Sequence, residues 1–180
     1  IVSRKPKNNT KDNNKIDKKN VLIIEGIHAL NPKILSDISR KKKYKIYISP
    51  LTCLNLDDQN RISTSDNRLL RRIIRDNRHR GNDVNYSLKK WASVRLGEEK
   101  NIFPFQDEAD VIFNSSLIYE IGVLKTYVEP LLYSVDMDSP YYEEAKRLIN
   151  MLKMFLPIPS DDIPKDSILR EFIGGGCFRQ

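Results

Sequence analysis

The stretch from Ser65 to Gly81 constrains this chain more than any other, because it sorts by helical period into two incompatible faces. Leu69, Leu70, Ile73 and Ile74 fall at i, i+1, i+4 and i+5 on one side, while Arg68, Arg71, Arg72, Arg75 and Arg78 project largely away from it. Such a helix is stable only when the first face is buried in a core and the second meets water or an anion. Ser65 or Asp66 is placed to cap its first amides, and Gly81 supplies the left-handed residue that commonly follows a last turn. The guanidinium is a planar, permanently charged fork that matches phosphate oxygens, so this density of arginines favours polyphosphate handling. A solvated charge run, a nucleic-acid-binding helix, a docking surface for an acidic protein and a phosphate clamp over a nucleotide all remain open at this point. Arginines on the wrong side of the helix have Asp66, Asp76 and Glu98 as local partners.

The length of 180 residues suits one medium domain or part of a larger one. The formal net charge of +7 points to an anionic partner, although Lys5, Lys7, Lys11, Lys15, Lys18 and Lys19 make part of it a property of the opening segment. Residues 1–20 are Lys/Asn-rich and free of aromatics, and are read as a disordered or linker segment. No apolar run approaches membrane-spanning length, and the opening lacks the apolar core of a signal peptide, so no membrane partner is expected. Cys53 and Cys177 are too few for a disulfide framework or a zinc site, in keeping with a cytoplasmic location.

From residue 21 onward, apolar runs alternate with helical patterns. Val21-Leu22-Ile23-Ile24, Tyr44 to Ser49 and Ala109 to Asn114 are expected strands, the first buried on both faces. Helices are expected over Pro32 to Ser39, Leu54 to Ile62, the arginine segment, Tyr86 to Glu99, Leu117 to Leu132 and Pro140 to Phe155. This alternation indicates an α/β layer fold with a mainly parallel sheet. Ligands of such sheets gather beyond the carboxyl ends of the strands, which singles out Glu25 as a candidate Mg²⁺ ligand and, equally, as an ordinary loop carboxylate. Trp91 is read as core packing ahead of base stacking. The segment Ile168 to Ile173 is amphipathic enough to dock on its own domain or on a second subunit of a homo-oligomer.

Several blocks carry a family resemblance. Val21-Leu-Ile-Ile-Glu25-Gly-Ile-His28, Tyr47-Ile-Ser-Pro-Leu51, Asp66-Asn-Arg68-Leu-Leu-Arg71-Arg72-Ile-Ile-Arg75-Asp76-Asn-Arg-His-Arg80-Gly81, and Trp91-Ala-Ser-Val-Arg95-Leu-Gly97-Glu98-Glu-Lys-Asn-Ile-Phe-Pro104-Phe105 resemble, in order, the later half of uridine kinase-like proteins of the phosphoribulokinase/uridine kinase family. The ending, Ser167 through Gly174-Gly-Gly-Cys-Phe178, resembles a bacterial subgroup in which the kinase follows domains related to the N-terminal part of threonyl-tRNA synthetase.

The resemblance implies a P-loop kinase-like three-layer fold with a mainly parallel sheet, present here only in part, and residues 21–180 as the C-terminal portion of a nucleoside kinase domain with a helical lid over about 61–105. It implies ATP and Mg²⁺ as cofactors and transfer of the γ-phosphoryl group to the 5′-hydroxyl of uridine or cytidine. Glu25 would end the Walker B strand and hold the metal. Arg72 and Arg75 would contact the transferring phosphates in catalysis, Arg68 and Arg71 would join them in holding ATP, and His28 and Arg80 would lie on the substrate side. The phosphate-cradling loop Gly-x-x-x-x-Gly-Lys-Ser/Thr is absent from the 180 residues, and Gly174-Gly175-Gly176 does not replace it. This chain by itself is therefore expected to be inactive. A noncatalytic module using the same basic face for RNA or another anion is the alternative, as is a kinase of this family acting on another small hydroxyl compound. Nucleic acid is disfavoured because no aromatic residue interleaves the basic ones between Arg61 and Arg80.

Overall fold

In the computed structural model, residues 20–178 are described, so the expectation for 1–19 lies outside them. Two short parallel strands, β1 (Ile46–Ser49) and β2 (Val111–Asn114), pair in the register Ile46↔Val111 to Ser49↔Asn114. Between them run the long helices α1 (Thr64–Arg80) and α2 (Val84–Asn101), and after β2 come α3 (Glu120–Tyr133), α4 (Tyr142–Leu152) and the single turn α5 (Arg170–Ile173). Helices joined to a small parallel sheet make this an α/β fold, as the alternation of patterns requires.

Local chemistry sets the helix ends. Ser63, one residue before α1, accepts from the Ser65 amide at 3.1 Å, so it is the cap rather than Ser65 or Asp66. Gly81 closes the helix at φ 63°, a left-handed conformation that any side chain would strain, and its amide bonds Asn77 O at 3.1 Å. Two residues later Asp83 caps α2 by accepting from the Tyr86 amide at 2.7 Å.

Leu69, Leu70, Ile73 and Ile74 are all buried and meet Ile121, Leu124 and Val128 of α3, Leu148 and Leu152 of α4, and Leu169 and Phe172 of the C-terminal segment in one core. Burial of each such side chain is worth roughly 1.5–3 kcal/mol, so α1 is seated by its apolar face. The amphipathic segment at 168–173 docks on its own domain, with Phe172 and Ile173 buried.

Three expected elements differ. Val21 to Ile24 forms no strand and stays exposed, from 47% at Ile24 to 88% at Val21. An apolar run becomes a strand only when a neighbour supplies the hydrogen-bond ladder, and among the described residues the sheet consists of β1 and β2 alone. Leu54 to Ile62 is a tight loop instead of a helix: Asp57 accepts from the amides of Gln59 and Asn60 at 2.8 and 2.7 Å, and Asn55 bridges Arg61 across it. Pro32 to Ser39 is a run of turns with Leu35 at φ 58°.

The strand pair is locked at both ends. At its start the Lys45 amide donates to Asp110 Oδ2 at 2.7 Å, and the Asp110 carboxylate also receives the Arg40 guanidinium. At its far end the Asn114 side chain accepts from the Leu51 amide and donates to Leu51 O, each at 2.9 Å. The chain leaving β1 thus turns toward α1 at a fixed position.

Candidate functional site

Two clefts adjoin at Pro50, the residue that follows β1. One, of about 330 Å³, is lined by Glu25, Leu30, Ile46, Ser49, Pro50 and Arg68 among others. The second, of about 170 Å³, is lined by Arg68, Arg71, Arg72, Arg75, Trp91 and Phe172 together with Pro50 and Glu98. Arg68 and Pro50 belong to both, so Glu25 and the arginine face of α1 open onto adjoining spaces. Glu25 reaches this place from an irregular segment rather than from a strand end.

The arginines differ in what they do. Arg71 is buried: it pairs with Glu120, donates to Ser115 O at 2.9 Å, and lies over the Phe172 ring at 5.2 Å. Period alone put it on the exposed face, but it borders the stripe one turn after the buried Asn67, and Glu120 receives both of them. Asn67 also donates to Thr52 Oγ1 at 3.0 Å. Residues just beyond both strands, Thr52 and Ser115, thus accept from two α1 side chains, Asn67 and Arg71, that the Glu120 carboxylate also holds. A buried ion pair supplemented by hydrogen bonds is costly to break and fixes geometry.

Arg68 pairs with the buried Glu98 of α2. Arg72 puts Nε 3.1 Å from Asp76 Oδ2, an ion-pair distance at which the N–H is not aligned for a hydrogen bond. Arg80 reaches the other oxygen of Asp76 at 2.6 Å. Arg75 stands 3.5 Å from Glu171, and Arg78 donates to Ile173 O at 2.9 Å. Gly174 follows at φ 82°, against the Arg78 guanidinium, where a Cβ would collide. Asp66 takes no arginine of its own helix and instead binds Arg147 of α4, whose pKa the carboxylates of Glu144 and Asp66 raise above the ordinary arginine value.

Five arginines, at 68, 71, 72, 75 and 80, thus face four carboxylates, Glu98, Glu120, Asp76 and Glu171. The face is an oriented array more than an open positive surface. Even so, the Nε atoms of Arg71, Arg72 and Arg75 are buried without a hydrogen-bond partner, and all three residues line the same cleft. His28 is exposed and is not among the residues lining the cleft that holds Glu25, while Arg80 sits at the far end of α1, outside the arginine cleft. Trp91 packs against the core with one side and lines the arginine cleft with the other.

Sequence reasoning missed Glu120, Asn67 and Phe172. Asp76 was visible as a partner four residues from both Arg72 and Arg80. Glu120 lies 49 residues from Arg71, and no local pattern joins them.

No helix of the described residues is long and apolar enough to cross a membrane. No solved structure matches the chain. Uridine kinases of Staphylococcus aureus strains JH9 and Newman are each 30% identical to it over 117 residues, which is 63% of this chain and 49% of each relative. The chain therefore spans about half the length of the curated relatives it matches. A family profile described as the phosphoribulokinase/uridine kinase family matches residues 3–121, reaching into the opening segment and ending at the first turn of α3. With that profile covering well over half its length, the chain belongs to the phosphoribulokinase/uridine kinase family.

Proposed function

We propose that this chain is the later portion of an ATP-dependent nucleoside kinase that transfers the γ-phosphoryl group to the 5′-hydroxyl of uridine or cytidine. The observation that carries this reading is the convergence of Arg68, Arg71, Arg72 and Arg75 on one cleft, which adjoins through Arg68 and Pro50 the cleft holding Glu25. Guanidinium groups gathered along one cleft suit the spread charge of a transferring phosphoryl group.

The residues present fit a magnesium nucleotide in a specific way. Among the described residues no group of three or more carboxylate, histidine or cysteine side chains could hold a metal ion by itself. Mg²⁺ in phosphotransferases is usually held by one or two carboxylates together with phosphates and water, so Glu25 alone suffices on the protein side. Bound Mg²⁺ would supply neutralisation of the phosphate oxygens. Arg72 and Arg75 would bind and orient the phosphates, and Arg68 would link the two clefts.

The chain lacks a Gly-x-x-x-x-Gly-Lys-Ser/Thr loop among its 180 residues, so by itself it is expected to phosphorylate neither nucleoside. The experiment is a radiometric assay of ATP-dependent uridine and cytidine phosphorylation by the full-length polypeptide alongside this chain. Turnover by the former and none by the latter is expected. Absence of turnover with either nucleoside in the full-length polypeptide, while inorganic triphosphate still binds, would favour a noncatalytic anion-binding module.

A further inference from the structure

Asp76 is fully buried and carries no role in the reading above beyond that of a neighbour. It lies one helical turn after Arg72 and one before Arg80, and both cations come to its carboxylate, Arg72 Nε at 3.1 Å from Oδ2 and Arg80 Nη1 at 2.6 Å from Oδ1. A third group arrives from the next helix, where the Ser87 hydroxyl of α2 donates to Oδ2 at 3.3 Å, and Ser87 is itself fully buried. The backbone carbonyl of Asp76 also accepts from the Asn82 amide at 3.1 Å, in the turn that joins α1 to α2.

A carboxylate removed from water in this way contributes little net stability, since an apolar residue of similar volume often serves as well. What it does supply is geometry. Arg72 lines the arginine cleft, and Asp76 is its ion-pair partner among the described residues. An arginine stem is long and flexible, and fixing one edge of its fork lowers the ordering cost when the other edge meets a ligand.

We infer that Asp76 is a positioning residue for anion recognition: its buried carboxylate pins the Nε side of Arg72 so that the terminal nitrogens are set for phosphate oxygens, and through Ser87 it holds the start of α2 to the same helix. The inference rests on the arginine cleft binding phosphates, and the experiment separates the two. Trp91 is the sole tryptophan of the chain and lines that cleft, so its emission reports occupancy. Inorganic triphosphate is titrated into the chain and into Asp76→Asn, Arg72→Lys and the double variant, with thermal melting recorded for each.

Charge and positioning give opposite signs here. Removing a negative charge beside the cleft raises its positive potential, so a purely electrostatic role gives tighter triphosphate binding in Asp76→Asn. Positioning gives binding weaker by about tenfold, a similar loss in Arg72→Lys, and little further loss in the double variant because the two act as a unit. Unchanged or tighter binding by Asp76→Asn, or additive losses, overturns the inference while leaving the cleft reading intact. Failure of the unaltered chain to bind triphosphate overturns the cleft reading and the inference with it. If Asp76→Asn does not fold, Ser87→Ala decides: a weakening of about twofold or more is expected, and unchanged affinity overturns the inference.

Discussion

Two aliphatic quartets of nearly equal hydrophobicity meet opposite fates in this chain. Val21, Leu22, Ile23 and Ile24 remain exposed, whereas Leu69, Leu70, Ile73 and Ile74 are between 0% and 3% exposed. The difference lies in what surrounds them. The second quartet sits on a capped helix whose flanking residues, Asn67 and Arg71, are drawn inward by Glu120, and four further helices contribute to the core it enters. The first has no strand beside it among the described residues. Hydrophobicity supplies the drive toward burial, but a partner surface decides whether it is satisfied.

The comparison is sharpened most by Glu120→Ala. Removing this carboxylate leaves Arg71 buried without its charge partner and takes one of two acceptors from Asn67, so a loss of about 3–5 kcal/mol in urea unfolding is expected. A loss below about 1 kcal/mol would mean that the pair does not seat α1. Leu70→Ala removes side-chain volume from the helical core and should cost about 2–5 kcal/mol. Its counterpart Ile23→Ala should lie within about 0.5 kcal/mol of the unaltered chain, and equal losses at the two positions would break the contrast.

Smaller effects follow at the edges. Ser63→Ala deletes the α1 cap and should cost about 0.5–2 kcal/mol, read by the same unfolding curves. The least expected effect is at the strand start. The Asp110 carboxyl is held below the ordinary carboxylate range, first by the Arg40 guanidinium and then by the Lys45 amide. A lowered folded-state value means that its stabilisation is complete above about pH 4 and is lost as pH falls through that lowered value. Asp110→Asn should therefore flatten the acid limb of the stability profile slightly, and an unchanged limb would show the contact contributes nothing.

The sequence made α1 legible almost to its ends, because a helical stripe and a left-handed glycine are local signals. The strands at 46–49 and 111–114 were also legible, though the expected ones began two residues earlier in each case. Legibility failed where a tertiary partner decides. Leu54 to Ile62 has a helix-compatible pattern that the Asp57 turn overrides, and Val21 to Ile24 has a strand pattern without a ladder. In the candidate site, the arginines and Glu25 were identifiable by type and spacing, and Asp76 by its distance of four residues from two of them. Glu120 and Phe172 were not, since they come from α3 and α5, far along the chain from the helix they support. Family resemblance contributed what periodicity cannot, namely the chemistry expected of the arginine face.

The central proposal is that Glu25 and the α1 arginines act on one magnesium nucleotide. It is tested most directly by a double-mutant cycle on kcat/KM for ATP in the full-length polypeptide, with Glu25→Gln, Arg72→Lys and their combination. Each single change is expected to lower kcat/KM by about tenfold or more, and the combination by clearly less than the product of the two, because both side chains address the same phosphates. Strictly multiplicative losses would place the two residues in independent roles and contradict the account.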